Sequence, residues 1–282
     1  MALSLNKPKI IFGLSLYFSS GNGHHDNSNN QSKQIKNGLE AAGIKARFLL
    51  SKPGDHALSS VVVSKLKLTE VIIFQDGNKI SLAGTIWVQD FEGWNKRDYG
   101  RPAVSPSIGM LPPKVARMMV NIGTSGQVLG SSLLDPFCGV GTILSEALIL
   151  GNKVIGADIN QKQIEKTQKN LDWISRTYNL EPNHFSLQIA DARKVVIPPV
   201  DAIVTETYLG PDNKQFLENL YYDSLKHWKT ILKPEGKVVI ATPFPLDTRK
   251  LMGYSPLAGP FEYFRPQAII KRYIWLIQKL PE

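Results

Sequence analysis

Leu133-Leu134-Asp135-Pro136-Phe137-Cys138-Gly139-Val140-Gly141-Thr142 sets a short apolar run, an acid and two glycines directly before a helical pattern. Glycines there let the backbone turn sharply and come close to a ligand at the carboxyl end of a strand, which is how a βαβ unit opens. The third glycine of a GxGxxG fingerprint is replaced by Leu144, and an acid at the strand tip repels phosphate. A nicotinamide-dependent dehydrogenase is thereby disfavoured. Outward from this stretch the chain alternates strand and helix with short connections. Strands are predicted over 133–137, 153–158, 185–189, 202–205, 237–242 and 269–278, and helices over 142–150, 161–178 and 214–232. This order specifies a doubly wound α/β domain, a mostly parallel sheet covered on both faces, over 126–282.

The front of the chain reads differently. From residue 10 to about 90 the pattern is strand, loop, helix, strand, helix, strand. Its apolar runs fall over 10–18, 46–50, 71–74 and 85–88, and its short helices over 31–42 and 58–66, the second capped by one of residues 56–59. A small α+β domain over 1–90 is expected. The run at 10–18 follows Lys7 and Lys9 but is too short to span a bilayer, and no small-residue cleavage pattern follows it. It is read as a buried strand, with no membrane partner. Residues 91–113 carry four prolines with Trp94, Lys96, Arg97, Tyr99 and Arg101, and show almost no periodicity. Pro112-Pro113 then suits the first turn of a helix over 114–121, so 91–125 is read as a linker and leading helix. No internal repeat is visible.

With 282 residues, 43% hydrophobic and 20% charged, the chain can build two cores, which excludes a disordered or fibrous protein. The single cysteine, Cys138, excludes a disulfide framework and a thiolate-rich zinc site, and the expected compartment is the reducing cytoplasm. A formal charge of +9 favours a polyanionic partner. The excess is uneven: up to Gly130 there are 15 Lys and Arg against 8 Asp and Glu, and beyond it 18 against 16. The front unit is the expected electrostatic footprint.

Asp158 closes the second predicted strand of the α/β domain, where a carboxylate can accept both hydroxyls of a ribose. Asp191, followed by Ala192, closes the third, where an acid can hold an adenine amino group. Each alone reads equally as a solvated strand end. Three acids at successive strand tips beside a glycine turn point to a nucleoside site at the topological switch point.

On these residues, Asp135 to Thr142, Gly156-Ala157-Asp158-Ile159 and Asp191-Ala192, the chain resembles the class I S-adenosylmethionine-dependent methyltransferases. Extended to Glu146-Ala147, the first motif is similar to the branch of RNA methylases with an N-terminal THUMP domain. Val88-Gln89-Asp90, Arg97-Asp98-Tyr99-Gly100-Arg101-Pro102 and Met110-Leu111-Pro112-Pro113-Lys114-Val115-Ala116 narrow the resemblance to the archaeal and eukaryotic tRNA (guanine(10)-N2)-methyltransferases. It implies a Rossmann-like domain closed by an antiparallel C-terminal strand, a THUMP-like front that binds tRNA, and S-adenosyl-L-methionine as cofactor. The implied reaction is methyl transfer to an exocyclic amine, guanine N2 in tRNA. A DNA adenine or cytosine amino-methyltransferase, and an RNA-binding protein that keeps the fold without turnover, are the alternatives. A small activator subunit is a partner implied for some members.

For the cofactor the resemblance implies Gly139 and Gly141 approaching it, Asp135 near its methionine end, Asp158 on the ribose, and Asp191 with Ala192 at the adenine. Phe137, Cys138, Thr142, Ile159 and Glu206 complete that set, Cys138 as a small turn residue. Amino methyltransferases of this type end strand four with Asp or Asn, two prolines and an aromatic, which accept hydrogen bonds from the amine and stack on the extruded base. This chain has Thr205-Glu206-Thr207-Tyr208-Leu209-Gly210-Pro211: a carboxylate one methylene longer, an aromatic one position earlier, and neither proline. Glu206 is thus implied to orient the amine and Tyr208 to stack. Arg97, Arg101, Lys114, Arg117 and Arg265 are candidate contacts to RNA phosphates, with Trp94 or Tyr99 stacking on a base. A charged linker and helix face is the alternative for them. His24-His25-Asp26 lacks a second ligand cluster and is read as loop, and no metal is expected.

Overall fold

The structure is a computed structural model and describes residues 9–19, 28–105, 109–181, 184–264 and 271–281. His24, His25, Asp26 and Arg265 lie outside the described residues. The chain divides after Gly93 into two compact units.

The first unit runs β1 (Lys9–Phe18), α1 (Ser28–Ala41), β2 (Lys45–Leu49), α2 (Ser60–Lys65), β3 (Thr69–Asp76) and β4 (Lys79–Gly84). The sheet order is β2-β1-β3-β4, with β1 parallel to both neighbours and β4 antiparallel to β3. Central β1 is buried on both faces. Phe12, Leu14 and Leu16 fill one face, while on the other Ser15 accepts the Leu58 N–H at 2.9 Å and donates to buried Glu70. Glu70 also takes the Thr85 hydroxyl. Ser59 caps α2 by accepting from Val62 N. The last strand is displaced from its predicted place. It occupies Lys79–Gly84, and residues 85–88 have no regular structure. All six β4 residues are exposed, so its alternating Ile80 and Leu82 cover no core; of the run at 85–88, Ile86 and Trp87 face solvent while Val88 packs on Leu58, Val63 and Leu68.

Helix α3 (Phe91–Tyr99) forms where a linker was expected, and its C-terminal part opens the second unit. The unit continues through α4 (Pro113–Gly123), β5 (Ser132–Asp135), α5 (Thr142–Ile149), β6 (Lys153–Asp158), α6 (Gln161–Tyr178), β7 (Phe185–Ile189) and β8 (Val200–Glu206). It ends with α7 (Lys214–Ile231), β9 (Leu232–Thr242), β10 (Tyr254–Tyr263) and β11 (Arg272–Lys279). The seven strands order as β10-β11-β9-β8-β5-β6-β7. Strands β5 to β9 are parallel, and β11 runs antiparallel to both β9 and β10.

Strand alternation divides the core. Leu134, Ile203, Val238 and Ile240 pack with Tyr221, Leu225 and Trp228 of α7 on one face. Their neighbours Leu133, Val204, Val239 and Ala241 pack on the other, against Met119 of α4, Leu144 of α5 and Leu171 of α6. Each fully buried Leu or Ile contributes about 1.5–3 kcal/mol by leaving water. Chain order reverses between β5 and β8, so the crevice outside their carboxyl ends is where a doubly wound sheet binds ligands.

Candidate active site

A cavity of about 490 Å³ opens at that crevice. The tips of β5, β6, β7 and β8 supply Phe137, Asp158, Asp191 and Glu206 to its wall, and the segment before α4 supplies Gly109 and Met110.

The turn after β5 is built by its glycines. Gly139 has φ 53° and Gly141 φ 78°, and a Cβ on Gly141 would stand 2.8 Å from Thr167 Cγ2. Side chains of α6 then pin the turn: the Thr167 hydroxyl donates to the Gly139 carbonyl at 2.6 Å, and the Asn170 amide to the Val140 carbonyl at 2.7 Å. Asn170 also exchanges two 2.9 Å hydrogen bonds with the Ala103 backbone.

Asp158 accepts Gly139 N–H on one carboxylate oxygen at 3.0 Å and Asn160 N–H on the other at 2.9 Å. An ionised carboxylate has about four acceptor positions, so two remain for hydroxyl groups in the cavity. Burial raises its pKa against those two bonds. Asp191 differs: hydrogen bonds from the Arg193 guanidinium, the shortest 2.6 Å, hold its carboxyl below the ordinary value. Ile159, Ala192 and Arg193 line the same wall.

Several predicted cofactor residues stand behind the wall. Asp135 is 1% exposed, accepts the Thr205 hydroxyl at 2.7 Å and Phe137 N–H at 3.3 Å, and is absent from the cavity lining. Burial, abetted by Asp158 and Glu206, pushes its pKa up to about 8. Asp135 thus stands behind the cavity wall and supports it from below. Cys138 is buried toward Thr167, with a thiol pKa pushed up by burial, so it is packing and no nucleophile. Gly141 and Thr142 shape the turn without lining the cavity, and Thr142 accepts from Arg101 at 2.6 Å.

At the β8 tip, Glu206 lies in the lining and its carboxylate is paired with Arg272, the first residue of β11. Arg272 is 2% exposed and also donates to the Gly109 carbonyl. Burial raises the Glu206 pKa and Arg272 draws it back. Thr207 donates both N–H and hydroxyl to the Ala241 carbonyl, at 3.0 and 2.9 Å. These bonds tie the tip to β9 without a proline. Tyr208 is half-exposed in the cavity, its carbonyl accepting the Tyr221 hydroxyl at 2.6 Å.

The arginines expected at RNA are mostly spent inside the unit. Glu146, 1% exposed, accepts Arg97 at 2.8 Å on one oxygen and Arg117 at 2.7 Å on the other. Arg97 also donates to the Tyr178 hydroxyl at 2.5 Å and lies 4.2 Å from the Trp94 ring centroid. Arg97 and Arg101 are both 8% exposed, so neither is presented to a phosphate. Trp94 is occupied with Arg97, while Tyr99 is exposed. Lys114 is exposed beside the Trp94 ring. Sequence reasoning missed Arg272 and Gly109; the basic Lys271-Arg272 pair was the available signal for the first. Among the described residues no cluster of three metal-ligating side chains exists, and no helix is long and apolar enough to cross a membrane.

The sheet order, the glycine turn and the acids at the strand tips define a class I methyltransferase domain. Over 96% of this chain and 72% of the other, the fold matches the crystal structure of TrmN from Thermus thermophilus, with TM-score 0.58 and 20% identity. The chain belongs to the family described as RMKL-like, methyltransferase domain, which matches residues 101–259. A second family, described as DNA methylase, matches residues 24–169. Two proteins named tRNA (guanine(10)-N2)-dimethyltransferase are similar. The one from Methanothermobacter thermautotrophicus is 37% identical over 160 residues, 55% of this chain and 45% of that one. The one from Methanocaldococcus jannaschii is 30% identical over 223 residues, 76% of this chain and 58% of that one. The chain thus spans about half the length of these curated relatives.

S-adenosylmethionine is the cofactor of this class, and the cavity residues fit it. Asp158 has acceptor positions left for a ribose, Ile159 and Phe137 offer apolar surface, and Gly139 exposes backbone, its nearest would-be Cβ neighbour 4.0 Å away.

Proposed function

We propose that this chain transfers a methyl group from S-adenosylmethionine to the exocyclic amine, N2, of a guanine in tRNA. The observation that carries the reading is one continuous cavity wall, running from Asp158 and Asp191 to Glu206 and Tyr208. When bound, the cofactor supplies a methyl group on a positively charged sulfur. Asp158 would hold ribose hydroxyls, and Asp191 with Ala192 the adenine edge. Glu206 accepts a hydrogen bond from the target amine and aims its nitrogen, and the Tyr208 ring packs on the flipped base. The nitrogen would take the methyl as the methyl–sulfur bond breaks, leaving the neutral thioether S-adenosylhomocysteine, and one proton would pass to solvent so that the base stays neutral. The names of the similar tRNA enzymes and the basic front half support RNA as the acceptor. In this reading the first unit serves as a THUMP-like tRNA-binding module, and cytoplasmic location and a small activator subunit belong with it.

The test is incubation with methyl-labelled cofactor and, separately, unmodified tRNA, rRNA fragments and duplex DNA, followed by nucleoside mass analysis. The expected product is N2-methylated guanosine in tRNA. Methylated adenine or cytosine in the duplex would replace this reading with the DNA one that the second family match raises.

A further inference from the structure

Glu206 reaches the cavity on a side chain with three torsions, and an amine can be aimed only if those torsions are held. What holds them is 66 positions away. The Nε of Arg272 donates to Glu206 Oε1, and its Nη2 donates to the carbonyl of Gly109, in the segment that with Met110 also lines the cavity. The guanidinium is nearly fully buried. Its donors lie in a fixed plane, so it can grip a carboxylate and a carbonyl at once in set directions, which an ammonium cannot. One Glu206 oxygen is thereby occupied; among the described residues no hydrogen bond engages the other, which can accept from an amine.

Other titratable groups stand around Glu206 among the described residues. Asp135 on β5 interacts electrostatically with Glu206 and with Asp158 on β6, and with its pKa pushed up to about 8 it is largely protonated at neutral pH. Tyr208 and Asp212 sit on its own loop and line the same cavity. Among the described residues Arg272 is the counter-charge set against this group.

We propose that Arg272 is a positioning residue for methyl transfer: it holds Glu206 ionised and in the amine-accepting orientation, and fixes the Gly109 wall relative to it. This rests on the transfer reading above. Arg272→Met and Arg272→Lys test it, through kcat and KM for tRNA across pH and through 13C NMR titration of the Glu206 carboxyl, identified by its loss in Glu206→Gln. In Arg272→Met, kcat at neutral pH should fall about a hundredfold, the scale of an ångström misplacement, with KM for tRNA unchanged. The acid limb of the kcat profile and the Glu206 titration should both move to higher pH. Arg272→Lys should keep the parental acid limb but not the parental kcat. Parental kcat in either variant, or an unmoved Glu206 titration in Arg272→Met, overturns the proposal. If Arg272→Met does not fold, Arg272→Lys decides on the same terms. If the parent transfers no methyl to any acceptor, the transfer reading fails, while the titration still decides whether Arg272 controls Glu206.

Discussion

Removing Glu146 would leave buried positive charge without its counter-ion. Its carboxylate is 1% exposed and lies between Arg97, 8% exposed, and Arg117, 20% exposed. Glu146→Ala leaves two guanidinium groups facing each other with no anion between them. Removing one partner of a buried ion pair costs about 3–5 kcal/mol. Arg117 can rehydrate, and Arg97 keeps Tyr178 and the Trp94 ring, which places the loss at about 3 kcal/mol, the lower end of that range. Against the roughly 5–15 kcal/mol that holds a domain together, such a loss is large. The assay is urea unfolding followed by tryptophan fluorescence, since Trp94, Trp173, Trp228 and Trp275 all belong to the second unit. With a urea slope of about 1–3 kcal/mol/M, the midpoint should drop by about 1–3 M. Glu146→Gln, which keeps the volume and one acceptor, should fall between. A midpoint shift below about 0.3 M in Glu146→Ala would refute the buried-pair reasoning. A second arm concerns Arg97: Arg97→Gln should lose stability yet leave the salt dependence of tRNA binding unchanged. Were Arg97 a phosphate contact, that slope would fall by about one.

Three further outcomes follow from the cavity. Gly141→Ala forces an L side chain into a left-handed backbone 2.8 Å from Thr167, so thermal unfolding should show a loss of about 1–3 kcal/mol; an unchanged midpoint would contradict the strain. Asp158→Asn weakens charge-assisted hydrogen bonds to a ribose, each about 1.5–3 kcal/mol, so calorimetry should show S-adenosylhomocysteine affinity reduced by about tenfold or more; parental affinity would remove Asp158 from the site. For Asp135 the folded pKa, about 8, lies above its ordinary 3.8. The folded state then binds the extra proton, so this group's contribution is complete below 3.8 and is lost as pH rises toward about 8. Asp135→Asn, which can still accept from Thr205 and Phe137, should flatten the decline of unfolding free energy across that window; an identical decline in both proteins would refute it.

How much was legible depends on what marked each element. Helix α6 was read to its observed bounds because Thr167, Asn170, Leu171 and Ile174 recur at helical spacing behind the capping Asn160. Leu133-Leu134, adjacent yet packed on opposite faces of the sheet, explains why a buried parallel strand reads as a continuous apolar run. Strand β4 was missed because its two alternating apolar residues, Ile80 and Leu82, stay exposed and form no continuous apolar run. Helix α3 was missed because it is held by Arg97 on Glu146 of α5 and by Trp94 beside Arg117 of α4, an ionic and cation–π anchor that no apolar period reveals. In the site, Asp158 and Asp191 were found because strand tips are visible in sequence. That Asp135, Cys138 and Thr142 turn away from the cavity was not, since a tight turn sends consecutive side chains in opposite directions. Arg272 was invisible as a partner of Glu206 because the two meet only when β11 inserts beside β9.

The central claim, that the cavity presents a guanine amine for methylation, is tested most directly by one atomic deletion in the acceptor. Unmodified tRNA and the same tRNA carrying inosine at the position found to accept label should be compared in single-turnover methyl transfer. Inosine differs from guanosine only in lacking the exocyclic amine. The account predicts that transfer at that position disappears while tRNA binding persists, and continued methylation of the inosine-containing tRNA at the same site would contradict it.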